Sequence, residues 1–189
     1  MLNAARKTTD IDWHLGSATE LPFMDGSFEV VFCQQGLQYF PDRAAAMREM
    51  RRVLTPGGRL SLNVWGPLDR QPFDVVYRDG VRAFFGPNAL VSSTLGFSLN
   101  TSGELRRLAT DAGFNDVQIR FEHRTARYPI LGEFLTGWTL ASPNAGRFLA
   151  SSEEMRNRFI AYLSERLEGY VDDGGIAIPR ENHFLTARK

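Results

Sequence analysis

Residues 16–65 constrain the fold of this chain more than any other stretch. Within them residues 28–33 (FEVVFC) are apolar at five of six positions, the pattern of a parallel strand covered on both faces. After a short loop, Asp42 stands where a helix N-cap belongs, and Met47, Met50, Val53 and Leu54 recur at helical spacing. Pro56, Gly57 and Gly58 are expected to stop that helix and turn the chain. Leu60, Leu62 and Val64 then alternate with Ser61, Asn63 and Trp65, which reads as a second strand. Strand, helix and strand joined by short links make a right-handed βαβ unit of a doubly wound sheet.

Several words of this run occur together in register: Gly16-Ser17-Ala18, Leu21-Pro22-Phe23, Asp25-Gly26-Ser27-Phe28, Leu37-Gln38-Tyr39-Phe40, and residues 49–58 (EMRRVLTPGG). In this respect the chain resembles the class I S-adenosylmethionine (SAM) dependent methyltransferases. The resemblance is to their small-molecule branch, which includes the ubiquinone/menaquinone-type and type 11 enzymes. It implies an α/β, Rossmann-like sheet in the order 3-2-1-4-5-7-6, parallel except for one antiparallel C-terminal strand. It also implies SAM as cofactor and a small-molecule methyl acceptor.

In such enzymes a glycine-rich strand-to-helix turn approaches the methionine end of SAM, and an acidic residue holds its ribose. Neither is found in these 189 residues, where residues 1–7 read as the end of the helix after strand 2. A βαβ unit takes roughly 30 residues or more, so the resemblance implies that strands 1 and 2 are missing from the N-terminus. Residues 11–15, read as strand 3, would lose their neighbour, and the strand at 28–33 would show an unpaired apolar edge. Two readings stand: a truncated piece of an ordinary enzyme, or a short form that pairs with a partner or with itself. The exposed sheet edge makes a homodimer the expected self-association. In the second reading the chain is a non-catalytic remnant or partner subunit that does not bind SAM unaided.

By the same resemblance, Ser17 and Ala18 lie beside the adenine, with Thr19 as a neighbouring polar candidate. Most relatives carry Asp at the Ser17 position, and a serine hydroxyl makes a weaker hydrogen bond there. Cys33, Gln34 and Gln35 follow strand 4, where backbone contacts to the methionine moiety are expected. Leu37 would pack below the cofactor. Gln38 stands where many relatives have His, which removes a potential general base. SAM is already activated, so transfer requires alignment and exclusion of water more than a nucleophile or triad.

Further along, Phe73, Val76, Tyr77, Val81 and Phe84 lie at helical spacing between Pro72 and Gly86. Thr101 to Glu104 form a capping box, Leu105, Leu108 and Ala109 an inward stripe, and Gly113 with Phe114 a stop. Val117, Ile119, Phe121 and His123 alternate as an edge strand. Ser152 opens a helix carrying Met155, Phe159, Tyr162, Leu163 and Leu167. Residues 176–179 and 183–187 read as the closing strand, inserted antiparallel between family strands 5 and 6, with Pro179 at a bulge or start. The expectation is one domain, 1–189, with residues 66–100 and 128–175 as substrate-cap insertions.

His14 and His123 read as structural. His183 lies near the closing strand, and no partner that would make it a base is legible. Three His and one Cys show no metal-ligand spacing. Cys33 ends a buried strand without a cationic neighbour and reads as inert; Asp42 and Glu49 read as a cap and a helix-surface pair. Equal numbers of basic and acidic residues, 22 of each, and no basic run argue against nucleic acid as partner. No apolar run approaches the ~20 residues that span a bilayer. With a single Cys and no apolar leader in MLNAARKTTD, the expected location is the cytoplasm.

Overall fold

A computed structural model describes residues 11–89 and 95–189. The helix end read at residues 1–7 lies outside the described residues. One mixed sheet runs in the order β1-β2-β5-β3, with a short β4 paired to β5. Its strands are β1 (Phe28–Gln34), β2 (Leu54–Trp65), β3 (Asn115–Tyr128), β4 (Val171–Asp172) and β5 (Gly175–Arg188). Helix α1 (Arg43–Val53) crosses from β1 to β2, the connection that a parallel pair requires. Strand β5 lies between β2 and β3, the place expected of the closing strand. Its direction follows from two hydrogen bonds. Lys189 N–H donates to Gly58 C=O at 3.0 Å and Gly66 N–H to Glu181 C=O at 2.9 Å. As one number rises the other falls, so β2 and β5 are antiparallel.

By Cα packing the chain divides into two compact units. The first is Met1–Leu62, Gly103–Ile119 and Leu185–Lys189. Its helix α1 is capped by Asp42, whose carboxylate accepts from Ala45 N–H at 2.8 Å, and it buries Ala46, Met47, Met50 and Val53. The helix ends before the Pro-Gly-Gly turn. Leu54 is already extended, and the turn lies inside β2. Thr55 precedes Pro56, which disfavours helical backbone there. The last carbonyls of α1 are met instead by Lys189 Nζ, which donates to Arg52 C=O at 3.0 Å and to Leu54 C=O at 2.6 Å.

Helix α3 (Ser102–Asp111) also belongs to this unit. Phe114 N–H returns to Ala109 C=O and Gly113 N–H to Thr110 C=O, with Gly113 at φ +88°. That is the Schellman closure expected of an Ala-Gly-Phe stop. Glu104, read as the box partner, also lies 3.4 Å from Arg43.

Two expectations fail here. Residues 11–15 form no strand, and among the described residues β1 is the end of the sheet. A strand needs a neighbour for its backbone groups, and residues 11–15 pair with none of the described strands. On β1 itself Phe28, Val30 and Phe32 point to one face and are 36%, 43% and 78% exposed, while Cys33 on the other face is buried. The apolar run therefore has one covered face, not two, and the expected bare apolar edge is present.

The second unit is Asn63–Ser102 and Arg120–Phe184. Helix α2 (Pro72–Phe85) begins at a proline and ends at Gly86, φ +80°, as the sequence predicts. Helices α4 (Leu131–Ala141) and α5 (Ala145–Ala150) follow. Helix α6 (Glu153–Leu167) has Ser152 as its cap, accepting from Met155 N–H. Phe73, Tyr77, Phe134, Phe159, Leu163 and Ile176 are among the residues of one buried core in this unit. At the β4–β5 turn Gly175 has φ +101°, and a Cβ there would stand 2.2 Å from Tyr128 C=O, so only glycine fits. Among the described residues no helix is long and apolar enough to cross a membrane.

Candidate functional site

The residues singled out beside β1 all lie in the first unit. Residues 17–20 close a tight turn in which Glu20 N–H donates to Ser17 C=O at 3.1 Å. Inside the turn the Ser17 hydroxyl accepts from Thr19 N–H at 3.2 Å and lies 2.8 Å from the Thr19 hydroxyl. Residues 17–19 face Phe40, Pro41 and Asp42 across a groove of about 270 Å³. One wall is the loop before β1 and the other is the entry to α1. The groove therefore offers apolar surface from Ala18, Phe40 and Pro41, and hydroxyls from Ser17 and Thr19. Residues 40–42 were not singled out for binding. Asp42 was legible only as a helix cap, because the wall it completes is set by tertiary packing.

The remaining candidates are distributed differently. Cys33 is buried at the end of β1, and burial pushes its thiol up from the usual range, which fits the inert reading. Gln34 is exposed. Gln35 has φ +49°, a conformation that a glutamine enters only under constraint. Its side-chain carbonyl accepts from Gln38 Nε2 at 2.7 Å. Leu37 and Gln38 are fully buried, and the Gln38 carbonyl accepts from Arg43 at 3.1 Å. None of these five lines the groove.

A polar network fixes the loop that leads from the groove to β1. Arg52 donates to the carbonyls of Phe23 (2.8 Å) and Leu21 (3.1 Å), and to the carboxylates of Asp25 (2.7 Å) and Glu49 (2.7 and 2.8 Å). Glu49 also accepts from Leu21 N–H at 2.8 Å. Leu21-Pro22-Phe23, Asp25-Gly26 and Glu49-x-x-Arg52 are thus one device, although they are separate words in the sequence. Glu49 is the surface pair expected, with a backbone partner that sequence did not show. The Arg52 hydrogen bonds hold its carboxyl below the usual range. A carboxyl lowered by folding stabilises above its ordinary value and loses that contribution as pH falls through the folded one. Urea denaturation should therefore show wild type more stable than Glu49→Gln at neutral pH, with the difference closing below about pH 4.5. A gap that is independent of pH would break this account.

His14 lies 2.9 Å from Asp12 on the surface, and His123 is likewise exposed. Only His183 is buried. Among the described residues no three His, Cys, Asp or Glu side chains gather as a metal site.

Residues 1–62 match the Methyltransf_11 family, described as a methyltransferase domain. A demethylmenaquinone methyltransferase of Beutenbergia cavernae is 36% identical over 89 residues, 47% of this chain and 37% of that protein. One from Renibacterium salmoninarum is 33% identical over 127 residues, 61% of this chain and 53% of that protein. The chain thus spans between about a third and a half of the length of these relatives. A putative methyltransferase from Bacillus halodurans C-125 shares the fold at TM-score 0.55 and 21% identity, covering 95% of this chain and 78% of that one. Over residues 1–62 the chain is thus similar to the type 11 methyltransferases, and its fold is a Rossmann-like α/β sheet.

Proposed function

We propose that this chain, whose residues 1–62 match the type 11 methyltransferase family, belongs to a SAM-dependent enzyme that methylates a small molecule. The observation that carries the reading is the groove between residues 17–19 and 40–42. Its apolar walls suit the faces of a purine, and its hydroxyls suit the ring's polar edge. Ser17, Ala18 and Thr19 would hold the adenine. The backbone of residues 33–35, with Leu37 and Gln38 packed behind it, would support the methionine end. SAM, when bound, supplies a methyl group on a sulfonium already activated for displacement. The protein's part is to orient it and exclude water. Acceptor recognition is assigned to residues 66–100 and 128–175. The names of the relatives make a quinol-type acceptor the first to try.

A second reading rests on the bare face of β1, with Phe32 78% exposed. In that reading the 189-residue chain is a non-catalytic partner, and two copies join through the β1 edge.

Titration with S-adenosylhomocysteine, followed by calorimetry and by amide NMR, tests the first reading. Shifts are expected at residues 17–19 and 40–42, with a Kd weaker than about 100 μM. The contacts expected of the glycine-rich turn and of the ribose carboxylate have no counterpart in this sequence. Shifts confined elsewhere, or none at millimolar ligand, overturn the cofactor assignment. Micromolar binding by a monomer overturns the claim that the pocket is incomplete.

A further inference from the structure

The closing strand carries an unusual interior. After Pro179 the residues Arg180, Glu181, Asn182 and His183 are all buried, at 1–7% exposure. Arg180 has a structural partner in Asp74. Glu181 and His183 are satisfied only in part, Arg70 donating to the Glu181 Oε2 alone. The carboxylate Oε2 of Glu181 lies 3.4 Å from Arg70 and 3.6 Å from His123, two side chains that are themselves mostly exposed. Its Oε1 has no hydrogen-bond partner, nor has either ring nitrogen of His183. The nearest approach between them is 3.7 Å, from Glu181 Oε1 to His183 Nε2, beyond hydrogen-bond length. Buried polar atoms are nearly always satisfied. Three orphans on two adjacent side chains carry desolvation with no return, which a packing role would not require.

The site is also built around them. Gln71 brackets the Glu181 backbone, donating from Nε2 to its carbonyl at 2.7 Å and accepting its N–H at 3.4 Å. Gly66 donates its N–H to the same carbonyl, and a Cβ at Gly66 would stand 2.7 Å from Glu181 Oε1. The glycine at the end of β2 therefore leaves room for the carboxylate. The Phe121 ring, 52% exposed, meets His183 edge-on at 4.5 Å. This is the carboxyl end of β2, the end where open α/β sheets take their ligands.

The chemistry of the orphans is specific. Burial pushes the His183 value below the usual imidazole range, and Glu181 opposes this only in part. At neutral pH the ring is uncharged, with one N–H and one lone pair. The carboxylate beside Nε2 favours the tautomer with its proton there, which leaves the Nδ1 lone pair as a base. The set then lacks only a proton donor.

We propose that Glu181 and His183 form a proton-accepting pair for an acceptor with an acidic hydroxyl, of the phenol or enol class, whose anion is the methyl-accepting nucleophile. The inference rests on the methyltransferase reading above. In the step, the acceptor O–H bond breaks, the proton forms a new N–H at His183 Nδ1, and the oxygen keeps the electron pair. The imidazolium is balanced by the Glu181 carboxylate. A neutral amine acceptor already has a free lone pair and would need no such base.

The three histidines of the chain give separate NMR signals after ¹³C labelling. With 2-naphthol, the His183 signal is expected to move saturably while that of His14 stays. With 2-methoxynaphthalene, which keeps the rings and lacks the proton, His183 should not move. Glu181→Gln should weaken the naphthol response about tenfold or more. His183→Phe, which removes the orphan nitrogens, should melt above wild type. A His183 signal unmoved by 2-naphthol, or a His183→Phe protein that melts lower, overturns the pair. S-adenosylhomocysteine titration of the same samples separates the two ideas. Loss of that binding with His183 still responsive removes the cofactor reading and keeps the pair, and the converse removes the pair alone.

Discussion

Replacing Asp74 by Ala is expected to lower the stability of the chain by about 3–5 kcal/mol. The reason is the guanidinium left behind. The Arg180 side chain is 7% exposed and that of Asp74 11%, and the two form an ion pair on the inner side of α2. Arg180 also lies over the rings of Trp65, Phe73 and Trp138, at 4.9, 5.5 and 5.2 Å from their centroids. Those faces attract a cation but accept no hydrogen bond of a carboxylate's strength, so without Asp74 the charge is buried and underpaid in contacts. Burial pushes the Asp74 carboxyl up from its usual range and Arg180 only partly opposes it, which makes the two single variants unequal. A carboxyl raised by folding loses its favourable contribution as pH rises through the folded value. In Arg180→Met the stranded Asp74 can take up a proton, so the defect should shrink in acid. In Asp74→Ala the stranded arginine has no such escape, so its defect should persist. Asp74→Leu combined with Arg180→Met should return within about 2 kcal/mol of wild type, because both charges leave together. Urea denaturation followed through Trp65 and Trp138 fluorescence reads all four proteins. A double variant as unstable as the sum of the singles would overturn the account.

The same strand shows where sequence reasoning stops. Local signals were legible because their causes are local. Pro72 and Gly86 bound α2, Gly113 closes α3, and Leu60, Leu62 and Val64 bury their alternate face of β2. The position of β5 between β2 and β3 came from the family resemblance, and the sheet has it. What failed or went unseen depends on partners distant in sequence. Residues 11–15 have strand-like composition, yet a strand exists only against a neighbour. Glu49 reads as a surface pair until Leu21 N–H, 28 residues away, is found on it. Arg180, Glu181 and Asn182 carry no strand signal in the sequence, and only a central place in the sheet buries them with His183. That contradiction between polarity and a central strand is itself a sequence signal. Where a closing strand turns polar midway, its side chains merit attention as a site.

Phe159→Ala should also be severe, at about 3–5 kcal/mol. Phe159 is fully buried on α6, and its ring stands 5.1–6.0 Å from those of Tyr77, Phe84, Phe85 and Phe148. Such an arrangement of rings collapses poorly when one is removed, because the others are held by their own helices, so the void remains. The approach of α2 to α6 gives this prediction a sharper form. At Gly80 an added Cβ would stand 2.9 Å from Leu163 Cδ2 and 3.1 Å from the Phe159 ring. In the wild-type background Gly80→Ala therefore crowds the interface, although a helix interior prefers alanine by about 1 kcal/mol. In the Phe159→Ala background the ring that crowds it has gone, and the new methyl group enters the void. The two substitutions should then be non-additive, the double variant being more stable than the sum of the singles by roughly 0.5–2 kcal/mol. The cycle is measured by urea denaturation of the four proteins. Strict additivity would mean that the helices relax apart when the ring is lost, and that Phe159 is not what fixes their spacing.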